Sequence, residues 1–141
     1  RVLFVVYDNQ AYVHWFPRGQ AYLAAVLREA GHEVAVYNQD ITTADDHLTA
    51  YLDREPPFDA VGIGVIGGYW QYRRLLALSR AIEASKNRPP LFVLGGHGPS
   101  PEPGYFLDKT GADVVVIGER EQTIIELLDA AEARRPLSGV Q

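Results

Sequence analysis

Two stretches carry the residues best placed to meet a ligand, and both are glycine clusters that end apolar runs: Gly62-Ile63-Gly64-Val65-Ile66-Gly67-Gly68-Tyr69 and Leu94-Gly95-Gly96-His97-Gly98-Pro99-Ser100. Glycine where a parallel strand ends removes the Cβ that would hold a ligand off the backbone. Two such exits predict a bulky cofactor lying across one edge of a sheet, so the chemistry is binding rather than bond making. Residues two apart on a strand face the same way. Gly62 and Gly64 would therefore leave one side of the third strand bare while Val61, Ile63 and Val65 fill the other. Two readings of that bare side stand open: a helix of the protein lies close against it, or it is a slot for a flat ring system.

Other chemistries find less support. Gly62-x-Gly64-x-x-Gly67 satisfies the dinucleotide fingerprint, but two of its glycines fall inside the third strand instead of in the turn after the first. No Gly-Lys-Ser/Thr follows any strand, which removes a phosphate-binding P-loop. A receiver domain would want acids ending strands one and three and a lysine ending strand five. Here strand three ends in glycine and strand five in Gly118-Glu119.

Glu121 and Thr123 suit the first turn of a helix, where acids meet the positive end of the dipole; Glu119 is placed either for that start or for a ligand's amide or hydroxyl. Asp8 and Asn9 leave the first strand at the same edge, for a turn or for a ligand. His32 and His47 read as surface residues, while His14 and His97 stand in loops that could meet a ligand. With no histidine pair at metal spacing and no cysteine, no protein-built metal site is expected. No residue stands out as a catalytic acid, base or nucleophile. Tyr69, Trp70 and Tyr72, with Trp15 and Phe16, put aromatic area at the mouth, either as core or as walls for a large conjugated ring.

The elements that must position these residues follow from periodicity. Val2 to Tyr7 is a continuous apolar run, the mark of a strand buried on both faces. Tyr22, Leu23, Val26, Leu27 and Ala30 repeat at helical spacing up to Gly31. Further strands are predicted over 33–37, 60–66, 91–94 and 114–117, and helices over 45–52, 71–85, 103–109 and 121–133. Five strands alternating with five helices imply an α/β fold: a Rossmann-like, flavodoxin-like doubly wound parallel sheet in three αβα layers.

Composition bounds the rest. A chain of 141 residues, 47% hydrophobic and 22% charged, is large enough for one globular core. The formal net charge of -5, with Arg73-Arg74 and Arg134-Arg135 the tight basic pairs, argues against a nucleic-acid partner. Zero cysteines leave no ligands for an iron–sulfur cluster in this stretch. No apolar run approaches the ~20 residues of a membrane span, so a cytoplasmic domain with no membrane partner is expected. The chain opens on Arg1 and has no Met, which reads as a segment of something longer. Residues 1–133 are expected to form the domain and 134–141 to begin a linker to a further one.

Taken in order, the run from Pro17 to Val34, Val61-Gly62-Ile63-Gly64, the cluster Leu94 to Ser100, and Gly111-Ala112-Asp113-Val114-Val115-Val116-Ile117-Gly118-Glu119 resemble the N-terminal cobalamin-binding domain of B12-dependent radical S-adenosylmethionine enzymes. The resemblance covers nearly the whole chain. It implies a corrinoid lying over the strand ends, with its nucleotide tail between the loops after strands three and four. By position, Gly67, Gly68 and Tyr69 would approach the corrin. Gly95, Gly96, His97, Gly98 and Ser100 would line the tail or its phosphate, and Gly118 and Glu119 would close the pocket.

The Asp-x-His-x-x-Gly motif that supplies a histidine to cobalt elsewhere in the wider fold is missing, since Asp8 is followed two residues later by Gln10 and His14 is offset. The resemblance thus implies a corrinoid held base-off without a histidine ligand. It also implies that S-adenosylmethionine and a 4Fe-4S cluster belong to a downstream radical domain, and that the parent is a methyltransferase or an anaerobic porphyrin-cyclase-like enzyme. The fragment alone would have no turnover. From the residues by themselves, a nucleotide or nucleotide-sugar binding domain of a transferase remains the alternative.

Overall fold

The computed structural model describes residues 1–7, 17–39, 46–118 and 121–137. Strands β1 (Val2–Val6), β2 (Val34–Asn38), β3 (Ala60–Gly64), β4 (Leu91–Gly95) and β5 (Val114–Val116) alternate with helices α1 (Arg18–Glu29), α2 (Asp46–Arg54), α3 (Tyr69–Glu83), α4 (Pro103–Thr110) and α5 (Glu121–Glu132). Every strand pairing is parallel, and the spatial order is β2-β1-β3-β4-β5. That order reverses between β1 and β3, the switch point at which sheets of this flavodoxin-like class open a crevice at their carboxyl edge.

The expected three layers are present because the central strands β1, β3 and β4 bury both faces. Leu3, Val5, Val61, Ile63, Phe92 and Leu94 join Leu48, Leu75, Leu78 and Ile82 in one core, which places α2 and α3 on that side. Val2, Phe4, Ala60, Leu91 and Val93 join Ala24, Leu27, Ile124, Leu127 and Leu128 in the other, beneath α1 and α5. Each such side chain contributes about 1.5–3 kcal/mol, so the sheet is held without help from the loops at its carboxyl edge.

Element boundaries shift by one or two residues from the sequence reading, and two of the shifts bear on the sheet's carboxyl edge. The third strand stops at Gly64 rather than Ile66, and α3 begins at Tyr69 rather than Gln71. Both differences have one cause: Gly67 and Gly68 take φ values of +146° and +99°, a conformation closed to most side chains, and turn the chain directly into the helix. Tyr69 and Trp70 are therefore helical residues of the first turn, not loop residues.

The bare side of β3 faces the core beneath α1 and α5, and it is not vacant. Phe4, the cross-strand partner of Gly62, lays its ring where that glycine lacks a side chain; a Cβ there would stand 2.9 Å from Phe4 Cε1. The close approach at this position is made by the protein itself, from the neighbouring strand rather than from a helix. Gly64 is different, because the atoms beside it belong to the free end of Gln20 on α1. Of the two readings of the bare side, a slot is thus ruled out at Gly62, where the buried Phe4 ring fills it, and is confined to the space beside Gly64.

Gly62→Ala should destabilise the protein by about 1–3 kcal/mol through overpacking against the Phe4 ring. Urea denaturation followed by far-UV circular dichroism measures the loss, and an unchanged midpoint would contradict the contact.

Candidate functional site

The carboxyl edge of the sheet is built from the exits of β3, β4 and β5. The β3 and β4 exits are tied together one residue beyond their strands: Val65 N–H donates to Gly95 O at 2.7 Å, and Gly98 N–H donates to Val65 O at 3.0 Å. Val65 is buried. A Cβ on Gly96, whose φ is +114°, would collide with the Val65 backbone, and one on Gly98 would stand 2.8 Å from Val65 Cγ1. The missing side chains of Gly96 and Gly98 are therefore used by the protein's own loop. Ligand-lining roles expected for these two residues from the absence of a Cβ lose that argument.

Ser100 is similarly occupied, its Oγ donating to Gly96 O at 2.7 Å and closing the turn. His97 projects outward as an exposed residue, and Gly95 continues the ladder opposite Gly64. The cluster from Leu94 to Ser100 is thus a rigid shelf rather than an open cradle.

The β3 loop is the more open of the two. Cβ positions at Gly67, Gly68 and, after β5, Gly118 meet nothing within 4 Å. Among the described residues nothing stands against the backbone at these three turning points. Gln71, from the first turn of α3, is buried, and its Oε1 accepts from Ile66 N–H at 2.8 Å and Gly67 N–H at 2.7 Å. One side-chain amide thereby fixes the loop that carries two of the open glycines. The sequence reading passed over Gln71; the available signal was a polar residue four positions before Leu75, on the stripe that α3 buries.

Around this loop stand exposed apolar side chains: Ile66 at 72%, Tyr69 at 67%, Trp70 at 53% and Ile117 at 58% exposure. Tyr69 and Trp70 meet edge to face with ring centroids 5.5 Å apart, and the Arg73 guanidinium lies within cation–π reach of both. These aromatics are not core. Tyr72 instead turns to α4, its hydroxyl 2.7 Å from that of Tyr105, a hydrogen bond that raises the Tyr72 pKa above the usual phenol value.

On the other face, the Tyr7 hydroxyl at the end of β1 is buried with no partner among the described residues, and burial pushes its pKa up, so it stays neutral. Asp8, Asn9, His14, Trp15, Phe16 and Glu119 lie outside the described residues. Among the described residues, no group of three or more His, Asp or Glu side chains could hold a metal ion. No helix among them is long and apolar enough to cross a membrane.

Comparison with known proteins gives this edge a family. The sequence matches the B12 binding domain over residues 5–128. The chain belongs to the B12-binding domain family. It is 35% identical over 116 residues to an uncharacterized protein of Methanopyrus kandleri, covering 82% of this chain and 19% of that protein. Its fold is similar to that of the radical S-adenosylmethionine methyltransferase TsrM of Kitasatospora setae, solved with cobalamin and a 4Fe-4S cluster bound. That likeness has a TM-score of 0.78 at 21% identity and covers 99% of this chain but 26% of TsrM. The receiver domain of a sensor histidine kinase of Pseudomonas aeruginosa is similar at a TM-score of 0.57 and 15% identity, covering 94% of both chains. The receiver likeness is one of fold: β3 ends here in Gly64 and β5 runs into Ile117 and Gly118, where phosphoacceptor chemistry would need an acid and a lysine.

The B12-binding family's cofactor can be tested against the residues present. A corrin needs a broad apolar approach over the strand ends; the open backbone at Gly67, Gly68 and Gly118 and the exposed Ile66, Tyr69, Trp70 and Ile117 offer one. A nucleotide tail needs room at the sheet edge, and at Gly64 the three atoms nearest the missing Cβ all belong to the flexible end of Gln20. The described residues fit the group at the rim and beside Gly64, and no deeper.

Gln71→Ala should free the Ile66 and Gly67 amides, costing about 1–2 kcal/mol for two lost hydrogen bonds. Hydrogen exchange read by mass spectrometry should accelerate in the peptide spanning 65–70 and stay unchanged over β4.

Proposed function

We propose that this chain is the cobalamin-holding domain of a B12-dependent radical S-adenosylmethionine enzyme, a methyltransferase or a relative of the anaerobic porphyrin cyclases. The observation that carries the reading is the B12-binding match over residues 5–128, set on a sheet edge whose β3 loop has no described atom within 4 Å of the missing Cβ groups at Gly67 and Gly68 and only flexible Gln20 atoms nearest Gly64. Bound cobalamin would supply a cobalt centre that carries a methyl group or an electron. The protein's part would be to orient the corrin and shield its reactive face, with the lower face of cobalt left open or water-bound.

Gly67, Gly68 and Gly118 would let the corrin edge approach the backbone, with Tyr69 and Trp70 beside it. Gly62 supports this site only indirectly, by admitting the Phe4 ring that bounds the space beside Gly64. Gly64 would admit the tail, and Gly95, His97 and Ser100 would form the shelf beside it. Asp8 and Asn9, which follow the first strand in the sequence, and Glu119, which follows the fifth, complete the proposed set. The sequence has no Asp-x-His-x-x-Gly motif after its first strand, which supports a base-off corrinoid without a histidine ligand.

With no cysteine in the chain, S-adenosylmethionine and the 4Fe-4S cluster would be held by a downstream domain reached through a linker starting at residue 134. This chain spans 26% of TsrM and 19% of the Methanopyrus relative, which leaves room for such a domain in proteins of that size. The binding edge and that radical domain would be the two partners of the corrinoid.

The full-length protein should retain the visible spectrum of hydroxocobalamin through gel filtration. Its Co(II) form should show no nitrogen superhyperfine splitting from a lower axial ligand. Gly64→Val should abolish binding while far-UV circular dichroism stays near wild type, because the new side chain displaces only the free end of Gln20. A protein that passes the column colourless, or one that holds only purine nucleotide, would remove the reading.

A further inference from the structure

Gln20 lies in the first turn of α1, on the face of the sheet where Gly64 lacks a side chain. Its amide nitrogen is 2.5 Å, and its amide carbon 3.2 Å, from the place a Gly64 Cβ would take. The residue is half-buried, and its side chain forms no hydrogen bond with the described residues. An amide end turned over glycine backbone in this way has no hydrogen-bond partner among the described residues. A free glutamine with no role at this spot would extend into water.

Two neighbours bound the space beside it. Gly64 is the floor, the Phe4 ring closes it one step deeper beside Gly62, and its mouth is at the carboxyl edge. Such a space takes a flat ring resting on bare backbone and presenting one acceptor atom to an N–H donor. A corrinoid whose base has left the cobalt carries that chemistry: a planar heterocycle with an unligated ring nitrogen. We propose that Gln20 is the positioning residue for the heterocyclic base of the corrinoid's nucleotide tail, its amide N–H donating to the ring nitrogen, with Phe4 setting how deeply the base enters. The assignment rests on the cobalamin reading above and adds to it the group that recognises the tail.

The test compares cobalamin with cobinamide, which lacks the nucleotide tail, by equilibrium dialysis read in the visible range on the full-length protein. Gln20→Ala should weaken cobalamin binding by about tenfold, the worth of one hydrogen bond, and leave cobinamide binding unchanged. Gln20→Glu, which keeps the size but carries no donor at neutral pH, should lose as much. Unchanged or tighter cobalamin binding by Gln20→Ala would overturn the assignment, as would an equal loss for both corrinoids; in either case retained cobinamide binding leaves the cobalamin reading standing. If wild-type protein takes up neither corrinoid, both fall together.

Discussion

The exits of β3 and β4 can lie side by side only because the β4 loop offers Val65 backbone without side chains. Val65 donates to Gly95 and accepts from Gly98, and its own atoms fill the volume that Cβ groups on Gly96 and Gly98 would need. Any larger residue at Gly96 would drive the two loops apart and would also have to adopt a φ of +114°. The level of the shelf at the carboxyl edge, and so the distance at which a ligand can approach the sheet, depends on that one contact. Gln71 then holds the next two residues of the β3 loop from the opposite side.

With the rim fixed, glycines that look alike in the chain divide into three roles. Gly96 and Gly98 admit Val65; Gly62 admits the Phe4 ring; Gly67, Gly68 and Gly118 meet none of the described residues within 4 Å. Gly64 belongs with the last group except for the amide of Gln20, a side-chain end that can move at little cost. The division matters because a ligand can use only the backbone that the protein has not already covered. It confines the accessible edge to the β3 loop, the mouth at Gly64 and the β5 exit, with exposed aromatic and aliphatic groups around them.

The same framework serves different chemistry in other proteins. A receiver domain shares the sheet and the alternation of elements at a TM-score of 0.57, while the residues at the strand ends differ in kind. The fold supplies a crevice at the switch point; what the crevice does is set by a few residues at the strand exits. Among the described residues at the β3 and β5 exits these are mostly glycines and exposed apolar groups, which can orient a ligand but neither donate nor withdraw protons. That fits a domain whose reactive group arrives with its cofactor.

The sequence alone determined the alternation of five strands and five helices, the parallel sheet, and the two loops that shape its edge, because each rests on a local pattern. Continuous apolar runs mark strands buried on both faces, helical spacing marks the faces of α1, α3 and α5, and glycine after a strand marks a turn. The order of motifs also pointed to the B12-binding family, which the match over residues 5–128 bears out.

What fills the place of a missing Cβ is another matter. Phe4 reaches Gly62 from the neighbouring strand, Gln20 reaches Gly64 from a helix on one face, and Val65 reaches Gly96 across the sheet. Only tertiary structure decided which glycine was covered and which was open, because those neighbours are distant in the chain and no periodicity of two or 3.6 residues links them.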